Sequence, residues 1–96
     1  MSITFEVAHM REQGQNIIAV VVSPSLEQQS ILQQNKICNQ IQRCATAAGL
    51  AGTVVLVWDS GGDSLGFLAP PQWHSFFSDL TLFDIALNVN RSLTCF

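Results

Sequence analysis

Two uninterrupted apolar runs, at residues 17–22 and 54–58, most strongly constrain the fold of this chain. They are rich in valine and isoleucine, and neither shows the polar alternation of a strand with one solvent-facing side. Continuous apolar runs of this length are typical of strands that are covered on both faces or that lie in the middle of a sheet. We therefore expect these two segments to be the stiff central strands of the protein.

A helical segment separates the two runs. Ser23, Pro24 and Ser25 are typical of a helix N-terminus, and Ser25 with Gln28 fits a capping box, so we expect the helix to begin near Ser25. Gly49 predicts where it ends. A strand, a helix and a strand in this order predict a right-handed crossover between parallel strands. The stripe expected to face the sheet is Leu26, Ser30, Ile37, Ile41, Cys44 and Ala48.

The opposite side of this helix carries amides where most helices carry charges. Such a side is either plain solvent-facing surface or a polar interface that avoids the cost of desolvating charges. Both interpretations stay open at this point. The amide residues are Gln28, Gln29, Gln33, Asn35, Asn39, Gln40 and Gln42.

Two hairpins are expected to complete the sheet. Apolar and polar residues alternate over residues 3–8, which predicts a strand, and the polar segment 11–16 links it to the first apolar run. The pair Gly61-Gly62 follows the second apolar run and precedes the β-prone segment 65–69. Because glycine adopts positive φ without steric cost, this pair predicts a second hairpin.

The C-terminal third fits two patterns. Residues 72–77 predict a short helical turn, and residues 83–89 alternate as a strand would. A longer apolar stripe over residues 82–96 fits a helix, so we predict a helix over 81–96, with a strand as the alternative. That stripe is Leu82, Ile85, Ala86, Val89, Leu93 and Phe96.

These elements together predict the fold class. At 96 residues, the chain has room for one domain spanning residues 1–96. The expected class is α+β, a two-layer ββαββα arrangement in which helices pack on one face of a mixed four-stranded sheet.

Composition excludes two classes of function. The net charge is −3, and the four basic residues are scattered along the chain, whereas nucleic-acid binding needs clustered cations. The apolar runs are far shorter than the roughly 20 residues that cross a bilayer, so no membrane partner is expected. The first residues lack a secretory signal pattern, which places the protein in the cytoplasm by default.

The three cysteines, Cys38, Cys44 and Cys95, predict no metal site. Their number is odd, and their spacing matches neither a zinc site nor a redox motif. We expect them to be buried free thiols in a reducing compartment. A reactive or metal-binding thiol is the alternative.

Residues 59–64 form the segment most similar to a ligand-binding loop, with two carboxylates, two hydroxyls and two glycines. It lacks the closing glutamate of a calcium loop and the lysine of a phosphate loop, so we interpret it as a polar hairpin turn. His9 and His74 are candidate general bases, but the G-x-S-x-G elbow of serine hydrolases is missing. We therefore predict no catalytic residue, no metal and no cofactor, and an enzyme activity is not favoured.

The function expected from composition is binding. With 48% hydrophobic and 11% charged residues, the chain has more apolar side chains than two layers readily hide. The leading hypothesis is a non-enzymatic binding or adaptor domain that self-associates as a homodimer, using the first or fourth strand as an exposed edge or the C-terminal helix face with Leu80. The alternative is a small-molecule-binding protein or minor enzyme with a pocket near Trp73 and His74. Candidate ligand-binding or partner-binding residues are Trp73, His74, Phe76, Phe83 and Leu87.

Overall fold

The computed structural model describes residues 2–62 and 64–95, which form a five-stranded mixed sheet with helices on both faces. Asp63 in the predicted loop and Phe96 in the predicted stripe lie outside the described residues. Two 3-10 turns, Pro24–Gln28 and Pro71–Trp73, precede α1 and α2. The strands and helices are β1 Ile3–Glu12, β2 Gln15–Val21, α1 Ile31–Ala47, β3 Thr53–Gly61, β4 Ser64–Leu68, α2 His74–Ser78, α3 Leu82–Asn88 and β5 Arg91–Cys95.

The strand order is β4-β3-β2-β1-β5, which puts β2 at the centre of the sheet. β2 and β3 are parallel, as the predicted crossover requires, and the other neighbouring strands are antiparallel. Both predicted hairpins are confirmed. The first turns at Gln13-Gly14, where both residues have positive φ, and the second turns after Gly61. Because β1 lies between β2 and β5, the expectation that it is an exposed edge strand is wrong, and the edges are β4 and β5.

The core has two halves, one on each face of the sheet. Alternate residues of β2 point to opposite faces, with Ile18 and Val20 towards α1 and with Ile17 and Ala19 towards α2 and α3. The predicted packing of all helices on one face is therefore wrong. Continuous apolar strands need cover on both faces, and the C-terminal third provides the second cover. The residues of the C-terminal third that are almost fully buried on this face are Trp73, Phe77 and Ile85.

The predicted helix over 81–96 is correct only for its first half. α3 begins at a capping box formed by Thr81 and Asp84 and ends at Asn88. The chain then returns as β5, antiparallel to β1, with Leu93 opposite Phe5. The alternative of a strand over 83–89 is also wrong. The four-stranded ββαββα arrangement is thus corrected to five strands, because β5 pairs with the free side of β1 and buries Leu93 in the core on the α1 side of the sheet.

The helix predicted from Ser25 to Gly49 is divided into two pieces. Ser23 caps the 3-10 turn Pro24–Gln28, and the chain then leaves helical geometry at Gln29. Ser30 starts α1 instead, because its Oγ accepts a hydrogen bond from the Gln33 N–H at 3.2 Å. The Ser30 hydroxyl, predicted to face the sheet, is therefore used as a helix cap.

A disulfide between Cys44 and Cys95 links α1 to β5, with the two Cα atoms 5.8 Å apart. The prediction of free thiols is therefore wrong for these two residues and correct for Cys38. Cys95 was expected on a helix. Once the segment folds as β5, Cys95 lies opposite Ile3 on the face that α1 covers, within reach of Cys44.

Candidate functional site

Three of the predicted binding residues form a cluster of aromatic rings at the start of α2, on the face of the sheet opposite α1. Trp73 is only 3% exposed, and its ring meets the half-buried Phe76 edge to face at 6.2 Å. His74 Nε2 donates to the Ala69 carbonyl at 2.8 Å, and the imidazole packs against Phe67. These contacts attach α2 to the sheet, so the three side chains serve the packing of the fold.

The other two predicted residues lie together on the outer side of α3. Phe83 is 63% and Leu87 is 69% exposed, and they are one helical turn apart. Ala86 is exposed next to them, and Leu80 lies half-buried just before the helix. We call Leu80, Phe83, Ala86 and Leu87 the α3 face. Asp84 is the only charged residue of α3, and its carboxylate accepts the Thr81 N–H at 2.9 Å, so it is held at the helix start.

On the opposite side of the sheet the structure shows an apolar groove that sequence reasoning missed. β1 pairs with β2 only from Val7 onward, so its first residues extend past the end of β2. The half-buried Phe5 lies beside α1, with Val22, Ile37 and Ile41 around it. We call the depression along Phe5 and α1 the Phe5 groove. Its walls come from segments that are far apart in the sequence, so no local sequence pattern predicts it.

The Phe5 groove has two neighbouring parts that share lining residues. The first, of about 650 Å³, is lined by Ile3, Phe5, Ile37, Gln40, Ile41, Arg43, Cys44 and Cys95. The second, of about 180 Å³, shares Phe5, Ile37 and Ile41 with the first and extends to the 3-10 turn at Leu26. The other residues of this second part are Val22, Ser23, Ser25 and Gln29. Among the residues that the structure describes, Arg43 is the only charged one that lines either part.

The polar groups of the hairpin between β3 and β4 are used within the fold. Asp59 Oδ1 accepts the Gly61 N–H at 2.8 Å, which closes the turn. Ser60 Oγ donates to Glu27 at 2.6 Å, so this hairpin is linked to the first 3-10 turn. Across residues 2–62 and 64–95, no three His, Cys, Asp or Glu side chains converge in a way that would hold a metal ion.

The candidate general bases are held by backbone carbonyls. His9 Nε2 donates to the Ala51 carbonyl at 2.8 Å, as His74 does to Ala69. Within the part of the chain that the structure describes, neither imidazole bonds to a hydroxyl or a thiol. Burial raises the pKa of the Cys38 thiol, so this sulfur is protonated at neutral pH and is a poor nucleophile.

Comparisons with known proteins leave the function to be argued from these surfaces. The sequence matches no protein-family model, and no curated protein or solved structure resembles it significantly. Within the described ranges, no helix combines the length and the hydropathy needed to cross a membrane.

Proposed function

We propose that this protein is a non-enzymatic binding domain that self-associates as a twofold homodimer through the α3 face. The observation that supports the proposal is the exposure of Phe83 and Leu87, one turn apart, on a helix whose single charge is held in its N-terminal cap. An apolar helix face without charges loses little by being desolvated and gains free energy from burial. The proposal keeps two of the five residues suggested by the sequence.

The arrangement that fits this surface is an antiparallel pair of α3 helices. In a twofold dimer the same patch meets itself, so Phe83 of one copy packs against Leu87 of the other. Ala86 lies between these positions on the same side, and its small side chain lets the two helices approach closely. The patch is small, so we expect a weak dimer with a dissociation constant on the order of 10 μM.

The test is sedimentation equilibrium on the full chain over about 5–100 μM, a range that brackets the expected constant. We expect the wild type to dimerise and the double variant Phe83→Ser/Leu87→Ser to remain monomeric. The matched control is Ile31→Ser/Leu32→Ser, which removes two residues of similar exposure, 59% and 79%, from the start of α1. This control should dimerise as the wild type does.

Three outcomes would overturn the proposal. They are a wild type that is monomeric throughout the concentration range, an α3 variant that dimerises normally, and an α1 control that loses the dimer. Circular dichroism of each variant distinguishes a lost interface from a lost fold, and all four substituted side chains are exposed.

The alternative of a small-molecule site near Trp73 and His74 gains no support from this geometry. Trp73 is in the core, and His74 has committed one ring nitrogen to Ala69. With its ring buried, Trp73 offers almost no surface to a ligand.

The compartment is part of the proposal. The sequence favoured the cytoplasm, but disulfides persist mainly in oxidising compartments, and Cys44 is bonded to Cys95. We propose that the bonded form works in such a compartment. Alkylation in a denaturing lysis buffer tests this, because the bonded form then has one free thiol, Cys38, and the reduced form has three. Three alkylated cysteines would contradict the proposal.

A further inference from the structure

We propose that the Phe5 groove binds an unbranched aliphatic monocarboxylate, with its carboxylate at Arg43 and its alkyl chain along Phe5, Ile37 and Ile41. The inference is independent of the proposed dimer, because α1 and α3 cover opposite faces of the sheet.

The lining residues specify an apolar ligand of extended shape. Ile3 and Phe5 of β1 form one wall, and Ile37 and Ile41 of α1 form the other. Ile37 and Cys44 are seven positions apart on α1, which corresponds to about 10 Å along the helix axis. The second part of the groove shares Phe5, Ile37 and Ile41 with the first and lies on the side of Leu26. A flexible alkyl chain can follow such a path, and its burial is favourable in proportion to its length.

The distribution of charge specifies the head group. Although the chain carries a net charge of −3, the charged residue that lines the groove among residues 2–62 and 64–95 is a cation, Arg43. It lies at the end of the groove that also contains Gln40 and the Cys44–Cys95 disulfide. A guanidinium pairs with a carboxylate through two parallel hydrogen bonds, and the Gln40 amide can donate a further one. When the anionic head group binds at this end, the alkyl tail extends towards the 3-10 turn Pro24–Gln28.

Nuclear magnetic resonance of the ¹⁵N-labelled full chain, titrated with decanoate, tests the proposal. We expect saturable shifts of the amide resonances of Phe5, Ile37 and Ile41. Arg43→Gln should weaken decanoate binding by about two- to fivefold, the range for an exposed ion pair, and should leave binding of decan-1-ol unchanged. Ile3→Ser, at a lining position that is 58% exposed, should weaken both ligands without unfolding the protein.

The matched control is Lys36→Gln, which removes an exposed cation from the same helix outside the groove. It should bind decanoate as the wild type does. The proposal is overturned if decanoate produces no saturable shift, if Arg43→Gln binds it normally, or if decan-1-ol binds the wild type as tightly as decanoate. The Phe83→Ser/Leu87→Ser variant should also bind decanoate normally, so failure of the dimer and failure of the ligand site are separate results.

Discussion

Asn90 bonds to both backbone groups of His9: its Oδ1 accepts the His9 N–H at 2.9 Å, and its Nδ2 donates to the His9 carbonyl at 3.1 Å. The side-chain amide thus supplies the two hydrogen bonds that a further residue of β5 would make. It does so where the chain passes from α3 into β5, next to the backbone bond from Asn90 N–H to the Val7 carbonyl. Asn90 therefore helps to end the helix and to set the register of the last strand.

Asn90→Ala is expected to lower the free energy of unfolding by about 1–2 kcal/mol, because it leaves both backbone groups of His9 without these partners. Urea denaturation followed by circular dichroism measures the loss. Asn35→Ala, at an exposed amide on α1, is the control and should change stability by less than about 0.5 kcal/mol. Equal stability of the two variants would show that the Asn90 bonds contribute nothing.

Gly66→Ala is expected to destabilise the protein by about 1–3 kcal/mol through overpacking. Gly66 lies opposite Trp58 in the sheet, and a Cβ placed on it would overlap the indole ring. The cost should be smaller in a Trp58→Leu background, where the smaller side chain leaves room. A double-mutant cycle by urea denaturation measures this coupling, and a coupling of zero would show that the indole is not the obstacle.

Reduction of the Cys44–Cys95 disulfide is expected to cost about 4 kcal/mol, since the bond closes a loop across a sequence separation of 51 residues. Urea midpoints measured with and without dithiothreitol test this value. The control is Cys38→Ser, which keeps the disulfide and should respond to the reductant as strongly as the wild type. A wild-type midpoint that the reductant leaves unchanged would contradict the expected contribution.

Cys38 should react slowly with iodoacetamide at neutral pH, because burial raises the pKa of its thiol above the ordinary value of 9.0. The pH at half-maximal alkylation rate should therefore lie above 9.0 in the folded protein and return towards it in concentrated urea. The folded state binds the thiol proton more tightly, so the stability associated with this group is lost as pH rises above the unfolded pKa. A half-maximal alkylation pH below 9.0 in the folded protein would contradict the raised pKa of Cys38.

Much of the first two thirds of the fold could be predicted because its signals are local. Positive-φ turns lie at Gln13-Gly14 and at Gly61, within the polar or glycine-containing segments that predicted them. The parallel pairing of β2 and β3 follows from strand, helix and strand in sequence order. The amide side of α1 was harder to interpret, because one of its residues does not simply face solvent. The Gln42 side chain donates to the Gly52 carbonyl and accepts the Val54 N–H. No spacing distinguishes such a residue from an amide that remains in water.

The two candidate surfaces, the α3 face and the Phe5 groove, also differ in how far the sequence could predict them. Helical spacing placed Phe83 and Leu87 on one side, and the structure keeps them there with their side chains exposed. The Phe5 groove could not be predicted, because its walls come from β1 and α1, which are distant in the sequence. Arg43 appeared in the sequence only as one of four scattered bases.

The sequence by itself determined the central strands, the two hairpins and the crossover helix, because β-branched runs, turn residues and helical periodicity act over a few neighbouring positions. Tertiary structure alone decided that residues 91–95 form a strand, that helices cover both faces and that Cys95 meets Cys44. The segment 82–96 satisfies a helical pattern throughout, but residues 91–95 pair with the open side of β1 and bury Leu93 in the core. The strand conformation of residues 91–95 therefore depends on contacts with β1, such as the pair Thr4 and Thr94, which are 90 residues apart in sequence.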